Sequence, residues 1–355
     1  MDFIGQIKEN NKTHVVNEEE LKELVKQANS VFKQNFDNKV WFERSVFINW
    51  SCAIADCKYC YLSTKPKSDL NAVRHPASII AEAIICKQLG WKVGYITGGL
   101  RVESNQYLAE LAKKLNIALG EKIMMNFGPY NNDEIEVFKP YISGMGCAVE
   151  SFDGELHRFI CPSKPLKALL KFLENLEKNN LKKMVTIILG LGEKKEDVEI
   201  VIENIKKYGI NKVQLCFLKP QDYTIFKDVP SPDPNYMTWW ISKIRLANPN
   251  VQINVALVRD RISDLSLYLE AGANSFTRFF VFDDFASELA IELEQECKKA
   301  GRELQGQFTN LPDLDLKKEI GKLEFDDVWK EKILAKAEMY YTKLKKKKSS
   351  KINKF

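Results

Sequence analysis

The chain has 355 residues, 45% of them hydrophobic, enough to bury one large core or two ordinary ones. No window approaches ~18 unbroken apolar residues, so a membrane span is not expected. The net charge of +5 is local: removing the seven lysines between Lys343 and Lys354 leaves −2, a balanced and solvated surface.

The start, "MDFIGQIKENNKTHVV", lacks the apolar run and cleavage site of a signal peptide, which points to the cytoplasm. "NEEELKELVKQANSVFKQNF" predicts a helix capped by Asn17, with Glu20 completing a capping-box-like start. Leu21, Leu24, Val25, Ala28, Val31 and Phe32 form its apolar stripe. Strand and helix then alternate. Predicted strands are 45–51, 92–99, 122–128, 144–151, 183–192, 212–218, 251–257 and 274–282. Predicted helices are 77–90, 105–119, a short one near 132–139, 165–180, 196–208, 236–246, 262–271, 284–300 and 325–346. The lysine-rich end, "KLKKKKSSKINKF", has no interleaved aromatics and reads as a frayed, soluble terminus. Contact with RNA or an acidic protein is the alternative, and nucleic acid is not the expected partner.

Parallel strands need crossover connections, and helices supply them. Eight strands of this kind, apolar on both faces, predict an α/β protein with a (β/α)8 TIM-type barrel. An open doubly wound sheet is the alternative. No Pro/Gly/Ser linker interrupts the pattern. The expected layout is an N-terminal helical extension over 1–40, the barrel over 41–310, and a C-terminal helix with its basic tail over 311–355.

"WSCAIADCKYCYL" (50–62) follows the first predicted strand, at the face of a barrel where catalytic groups gather. It crowds Cys52, Cys57 and Cys60 and supplies no fourth thiol nearby. A structural zinc site wants four ligands. Three thiolates can hold three irons of a [4Fe–4S] cluster and leave the fourth iron free for a small molecule. A zinc site completed by a distant His or Cys, or three unliganded thiols, are the alternatives. Cys86, Cys147, Cys161, Cys216 and Cys297 are scattered and read as single buried thiols.

The cysteine loop, Tyr59 before its last cysteine, and Gly98–Gly99 after the second strand resemble the radical S-adenosylmethionine (SAM) superfamily. "VESFDGELHRFICP" and "ILGLGE" resemble the branch containing biotin synthase and the radical SAM maturase of [FeFe]-hydrogenase. The spacing is C-x4-C-x2-C where the common pattern is C-x3-C-x2-C, and Leu100 stands where many members carry an acidic residue. In its long first spacer, length and barrel text, the chain is similar to the radical SAM family of the guanylylpyridinol cofactor pathway of [Fe]-hydrogenase.

The resemblance implies a cluster on Cys52, Cys57 and Cys60 and SAM chelated at its free iron. It implies a low-potential electron donor such as ferredoxin or flavodoxin, a small-molecule substrate, and a role in building the pyridinol ring. It carries over SAM contacts as well. The backbone around Tyr59 would approach the adenine, and that of Gly98 and Gly99 the methionine amino group. Glu150, with Ser151 second, would accept from the ribose hydroxyls, and Arg158 or Lys167 would pair with the carboxylate. Gly190 and Gly192 would let the adenine pack on strand five. Each has a plainer reading as loop packing, a turn or a solvated charge. Biotin synthase holds a second cluster with cysteines on strands three and five; Met124 and Met184 stand there here, so sulfur insertion by that route is not expected.

Asn126, Gln214, Asn254 and Arg278 are polar groups in apolar strands and are candidates for a substrate pocket, with Asn49 a weaker case. Arg278 would suit a carboxylate. A hydrogen-bond network at the barrel end is the alternative. His75 and His157 read as helix-start packing or capping. Other functions that fit the sequence are a maturase-like radical enzyme on a different small molecule, a non-catalytic iron–sulfur carrier, and a zinc-dependent nucleic-acid binder using the basic tail.

Overall fold

The computed structural model describes residues 3–14 and 16–352; the end of the lysine-rich tail, with Lys354, lies outside them. Among the described residues eight parallel strands close a barrel: β1 (Lys39–Phe47), β2 (Lys92–Thr97), β3 (Ile123–Asn126), β4 (Ile142–Glu150), β5 (Lys182–Leu189), β6 (Lys212–Phe217), β7 (Gln252–Ala256) and β8 (Ser275–Thr277). Each pairs with the next, and β1 pairs with both β2 and β8, so the ring has no free edge among them. The open-sheet alternative is thereby overturned.

Helices cover the outside: α1 (Phe3–Thr13), α2 (Glu18–Asn35), α3 (Pro76–Gln88), α4 (Asn105–Leu119), α5 (Asn132–Phe138), α6 (Gly154–Ile160), α7 (Leu166–Lys178), α8 (Asp197–Tyr208), α9 (Pro234–Ala247), α10 (Leu265–Glu270), α11 (Val281–Asp284), α12 (Glu288–Lys299), α13 (Leu316–Gly321) and α14 (Asp327–Ile352). A short strand β9 (Glu303–Gln305) pairs beside the start of β1. The Asn17 side chain caps α2 by accepting from the N–H groups of Glu19 and Glu20, and Leu21, Ala28 and Phe32 are buried beneath it. α14 carries the lysine run on as helix to Ile352, where a frayed terminus was expected; Leu344 is buried and Lys343 pairs with Asp283 at 2.7 Å.

Two strands differ most from the sequence-based expectation. β1 starts six residues before the predicted 45–51 run. Its charged residues hid it: Glu43 accepts from Lys212 at 2.6 Å and Arg44 donates to Glu82 at 2.7 Å, so both are paired within the fold. β8 stops at Thr277 because Arg278 takes a left-handed φ of 65°.

Glu82 of α3 fixes the end of β1. It is 2% exposed and accepts from Arg44 and from Arg74, each at 2.7 Å. Arg74 also donates to the Phe47 carbonyl at 2.7 Å and to the Tyr340 hydroxyl of α14 at 2.7 Å. Burial opposes the Glu82 charge, but Arg44 and then Arg74 outweigh it and hold its carboxyl below the usual range. Glu82→Ala would strand two cations, so a loss of about 3–5 kcal/mol is expected in guanidinium unfolding. In the wild type this contribution is present above the unfolded-state pKa of a glutamate and is lost as pH falls through the lowered folded-state value.

Candidate active site

Cys52, Cys57 and Cys60 sit in the loop that leaves the C-terminal end of β1; Cys52 is buried and the other two are half-buried. The loop after β2 pins it. Ala53 N–H donates to the Leu100 carbonyl at 2.9 Å, and Leu100 N–H donates to Cys52 Sγ at 3.3 Å. The Asn49 amide oxygen accepts from Gly99 N–H at 2.6 Å, and its nitrogen donates to the Glu103 carboxylate at 2.7 and 2.9 Å. A Cβ on Gly99 would lie 1.6 Å from the Ser51 carbonyl oxygen, and one on Gly98 2.6 Å from Asn49 Oδ1. The room left by the glycine pair is therefore filled by the cysteine loop itself. Asn49, read as a pocket residue, is the clamp between the two loops. In the long first spacer Ala55 takes a left-handed φ of 44°, a turn that absorbs residues between Cys52 and Cys57.

The loop is tied on its far side to α6, where Lys58 N–H donates to the Ile160 carbonyl at 2.9 Å. Cys161, the next residue, lies beside Cys57. Its thiol donates to Cys57 and holds that thiol below its usual pKa, while Cys161 itself is pushed up by the same bond and by burial. Burial raises Cys60 to about 11.

Glu150 ends β4 with a left-handed φ of 60°, just past a register shift between Ala148 and Glu150. Its carboxylate, 1% exposed, accepts from Lys164 Nζ at 2.7 and 2.8 Å and from the Tyr59 hydroxyl at 2.5 Å. Lys164 also donates to the Ala148 carbonyl at 2.7 Å. Burial alone would push Lys164 down; Glu150 outweighs it and holds the ammonium above its usual range. Burial first, then Glu150, raises Tyr59 well above the normal phenol value. Ser151 Oγ accepts from Asp153 N–H at 3.1 Å, a local turn. His157 is enclosed, its ring nitrogens 2.8 Å from the Val149 carbonyl and 2.7 Å from that of Lys164, which makes it a strut.

Arg158 and Lys167 are not drawn into the group around Glu150. Both lie on exposed faces, of α6 and α7. The cation that reaches the site is Lys164, in the short connection between those helices, 3% exposed. A lysine in a short connection has no periodicity to mark its burial, so the sequence reading passed over it.

Gly190 and Gly192, after β5, take φ of 98° and 116°. The Glu193 carboxylate closes this turn by accepting from the N–H groups of Gly190 (2.7 Å), Leu191 (3.0 Å) and Gly192 (3.2 Å). A Cβ on Gly192 would lie 2.6 Å from Ile7 of α1, and one on Gly190 2.6 Å from Pro232. Asn11 of α1 donates to the carbonyls of Gly190 and Pro230, each at 2.9 Å. Phe3 stacks on Phe159 at 4.6 Å. α1, absent from the sequence-based reading, thus packs over the strand-five side of the mouth, in one apolar cluster with Cys57 and Tyr59.

Inside the barrel, Thr186, Gln214, Asn254 and Ser275 are successive register partners on β5 to β8. Tyr95 donates to Gln214 Oε1 at 2.6 Å, and Asn254 Nδ2 donates to Ser275 Oγ at 2.8 Å. Asn126 Oδ1 and the Met184 methyl converge on Gly146, 3.1 and 2.8 Å from where its Cβ would stand; Met124 is half-buried. A cavity of about 830 Å³ opens at the opposite end of the barrel, lined by strand-start residues such as Lys92, Lys182 and Lys212. It is remote from the cysteines, so the chemistry and not the cavity size locates the site.

Two outcomes are expected. Gly99→Ala forces the two loops apart, so iron and sulfide uptake on reconstitution should fall several-fold, whereas Gly154→Ala, with nothing within 4 Å of its Cβ, should leave uptake unchanged. Burial, against the backbone N–H bonds, raises the Glu193 pKa from 4.5 to about 7. Its share of stability is full below 4.5 and is lost as pH rises through about 7. Glu193→Gln should flatten the unfolding midpoint against pH over that window.

The family model described as the radical SAM superfamily matches residues 51–218, from the cysteine loop to the end of β6. An uncharacterised protein of Methanocaldococcus jannaschii is 33% identical over 312 residues, 86% of each chain. The biotin synthase of Thermotoga neapolitana is 26% identical over 229 residues, 62% of this chain and 81% of the relative. The structure of the [FeFe]-hydrogenase maturase HydG from Carboxydothermus hydrogenoformans has the same fold, with a TM-score of 0.67 at 15% identity over 95% of this chain and 88% of that one. With the cysteine loop, its glycine clamp and the barrel in place, the chain belongs to the radical SAM superfamily.

Proposed function

We propose that this chain binds a [4Fe–4S] cluster on Cys52, Cys57 and Cys60, cleaves SAM reductively, and serves in making the pyridinol moiety of the [Fe]-hydrogenase cofactor. The observation that carries the reading is the set of three thiols in one clamped loop at the barrel mouth. Three cysteines on three different irons do not have to meet at one point, and among the described residues no three His, Cys, Asp or Glu side chains group around a single ion. The donor set fits the cluster.

When bound, the cluster supplies the electron that splits SAM into methionine and a 5′-deoxyadenosyl radical, which removes hydrogen from an unactivated carbon. The protein's own part is position. Lys164 supplies the cation for the SAM carboxylate and Glu150 the acceptor for its ribose; Glu150 already bonds Lys164 on one side and Tyr59 of the cysteine loop on the other. Polar groups in the barrel interior orient the substrate, and the enclosing wall keeps water away. A ferredoxin or flavodoxin delivers the electron.

The lengthened C-x4-C-x2-C spacer and the likeness in length support the pyridinol role. Met184 on β5 supports a reading apart from sulfur insertion, since a thioether is a poor substitute for a thiolate. Deleting the gene from a host that makes [Fe]-hydrogenase should abolish the pyridinol by mass spectrometry. Unchanged pyridinol would assign the enzyme to a different small molecule.

The chain, reconstituted anaerobically with iron and sulfide and then reduced, should convert SAM to 5′-deoxyadenosine and methionine. Iron uptake without SAM cleavage would favour a carrier. Cys57→Ala should abolish cleavage while the circular dichroism stays that of a folded barrel; retained turnover would refute the ligand assignment.

A further inference from the structure

Arg278 follows the last residue of β8. Ser275 and Thr277 face the barrel interior, where they meet Asn254 at 2.8 Å and Ser45 at 3.0 Å. Phe276, between them, faces outward into a ring cluster with Phe42 and Phe308, centroids 5.6 and 6.2 Å away. Strict alternation would send residue 278 outward as well. The left-handed φ of 65° breaks the alternation. A non-glycine residue adopts that conformation at a cost, and such positions cluster at binding sites.

The result is a guanidinium within electrostatic range of Cys216, Tyr95, Tyr59 and Cys60. Its side chain is exposed at the strand-end mouth. Among the described residues it makes no hydrogen bond and no ion pair. Burial raises the pKa of Tyr95, to about 12, and of Cys216, so neither is a counter-ion. The Glu150 charge is already balanced by Lys164. Deeper in the barrel, Asn254 Oδ1 and Thr186 Oγ1 are buried without partners, their residues 1% and 5% exposed. The buried acceptors are unfavourable until a donor completes them, and the guanidinium above them is free to take the other end of the same ligand.

We propose that Arg278 anchors a carboxylate of the substrate, a small carboxylic acid that also offers hydrogen-bond donors to Asn254 and Thr186. A single free cation balances a monoanion, which favours carboxylate over phosphate. Guanidinium and carboxylate match in a planar, two-bond geometry. The assignment of this anchor to a substrate rests on the radical SAM reading; the anion site itself does not.

Thermal unfolding of the cluster-free chain tests it. Arg278→Met removes the guanidinium and keeps the side chain's length. Benzoate and acetate should raise the wild-type Tm, and benzamide and acetamide should not. Arg278→Met should lose the carboxylate response, and Arg278→Lys should keep part of it. A wild type indifferent to both acids overturns the proposal, as does a response that survives Arg278→Met. Iron and sulfide uptake by Arg278→Met should match the wild type; loss of uptake would assign the arginine to the cluster and overturn the substrate role. Should the wild type bind a cluster and fail to cleave SAM, the function proposed above falls, while the carboxylate response still reports on Arg278.

Discussion

Main-chain contact between the loops after β1 and β2 governs the whole mouth of this barrel. Gly99 lies so close to the Ser51 carbonyl that no Cβ fits, and the Asn49 side chain bridges what remains. The cysteine loop is thus held by backbone groups of a neighbouring strand end, before any metal arrives. A loop fixed in this way has little conformational freedom left to lose when ligands bind, which is the energetic benefit of preorganisation. The Glu82 network extends the restraint to the other end of the loop. It ties Arg74, and through it the Phe47 carbonyl, to α3 and α14. The thiols inherit their positions from the rigid barrel in spite of lying on the 28-residue connection between β1 and α3, 48–75, which holds only two short 3-10 turns.

Backbone strain at two strand ends aims two opposite charges at the same mouth. Glu150 closes β4 and Arg278 closes β8, both left-handed and neither a glycine, each at a cost of about 1–3 kcal/mol. Their surroundings differ. Glu150 has Lys164 and Tyr59 within hydrogen-bond distance and forms a closed, balanced group. Arg278 has no hydrogen bond or ion pair from its side chain among the described residues. One site is complete as folded, ready to exchange partners with the zwitterionic end and ribose of a cosubstrate; the other is incomplete until an anion arrives.

The alternation of apolar runs and helical stripes made the barrel legible, because each β/α unit repeats the same burial pattern. β2, β6 and β7 fall within two residues of their expected bounds. β1 was misplaced because Glu43 and Arg44 break its apolar run, and nothing local reveals that Lys212 and Glu82 neutralise them. α1 was missed because its buried contacts, Ile7 and Asn11, are sparse in a polar stretch, and β9 because three residues carry no period. At the site, the cysteine spacing and the glycine pair were readable as chemistry. What the glycines accommodate was not: the sequence suggested room for a ligand, and the fold uses that room for the cysteine loop. Lys164 shows the same limit, since its burial depends on where the connection between two helices falls in space.

The two ends of the barrel are electrostatically unlike, and this bears on what Arg278 can hold. The strand-start end gathers Lys92, Lys122, Lys182, Lys206 and Lys212 around an open cavity, where water and the nearby Glu43 and Glu121 screen them. The strand-end face mixes both signs of charge on its loops, with Lys65 and Lys67 after β1 and Lys219, Asp222, Lys227 and Asp228 after β6, and exposes apolar side chains beside them: Trp50 after β1, Tyr223 and Ile225 after β6, Phe280 after β8. A pair of unit charges 4 Å apart gains about 1 kcal/mol in water and about 4 kcal/mol at an effective dielectric of about 20. A carboxylate meeting one of the basal lysines therefore gains little. Arg278 instead offers a planar guanidinium with no side-chain partner among the described residues, so two parallel N–H bonds, and not charge density, orient an acid there.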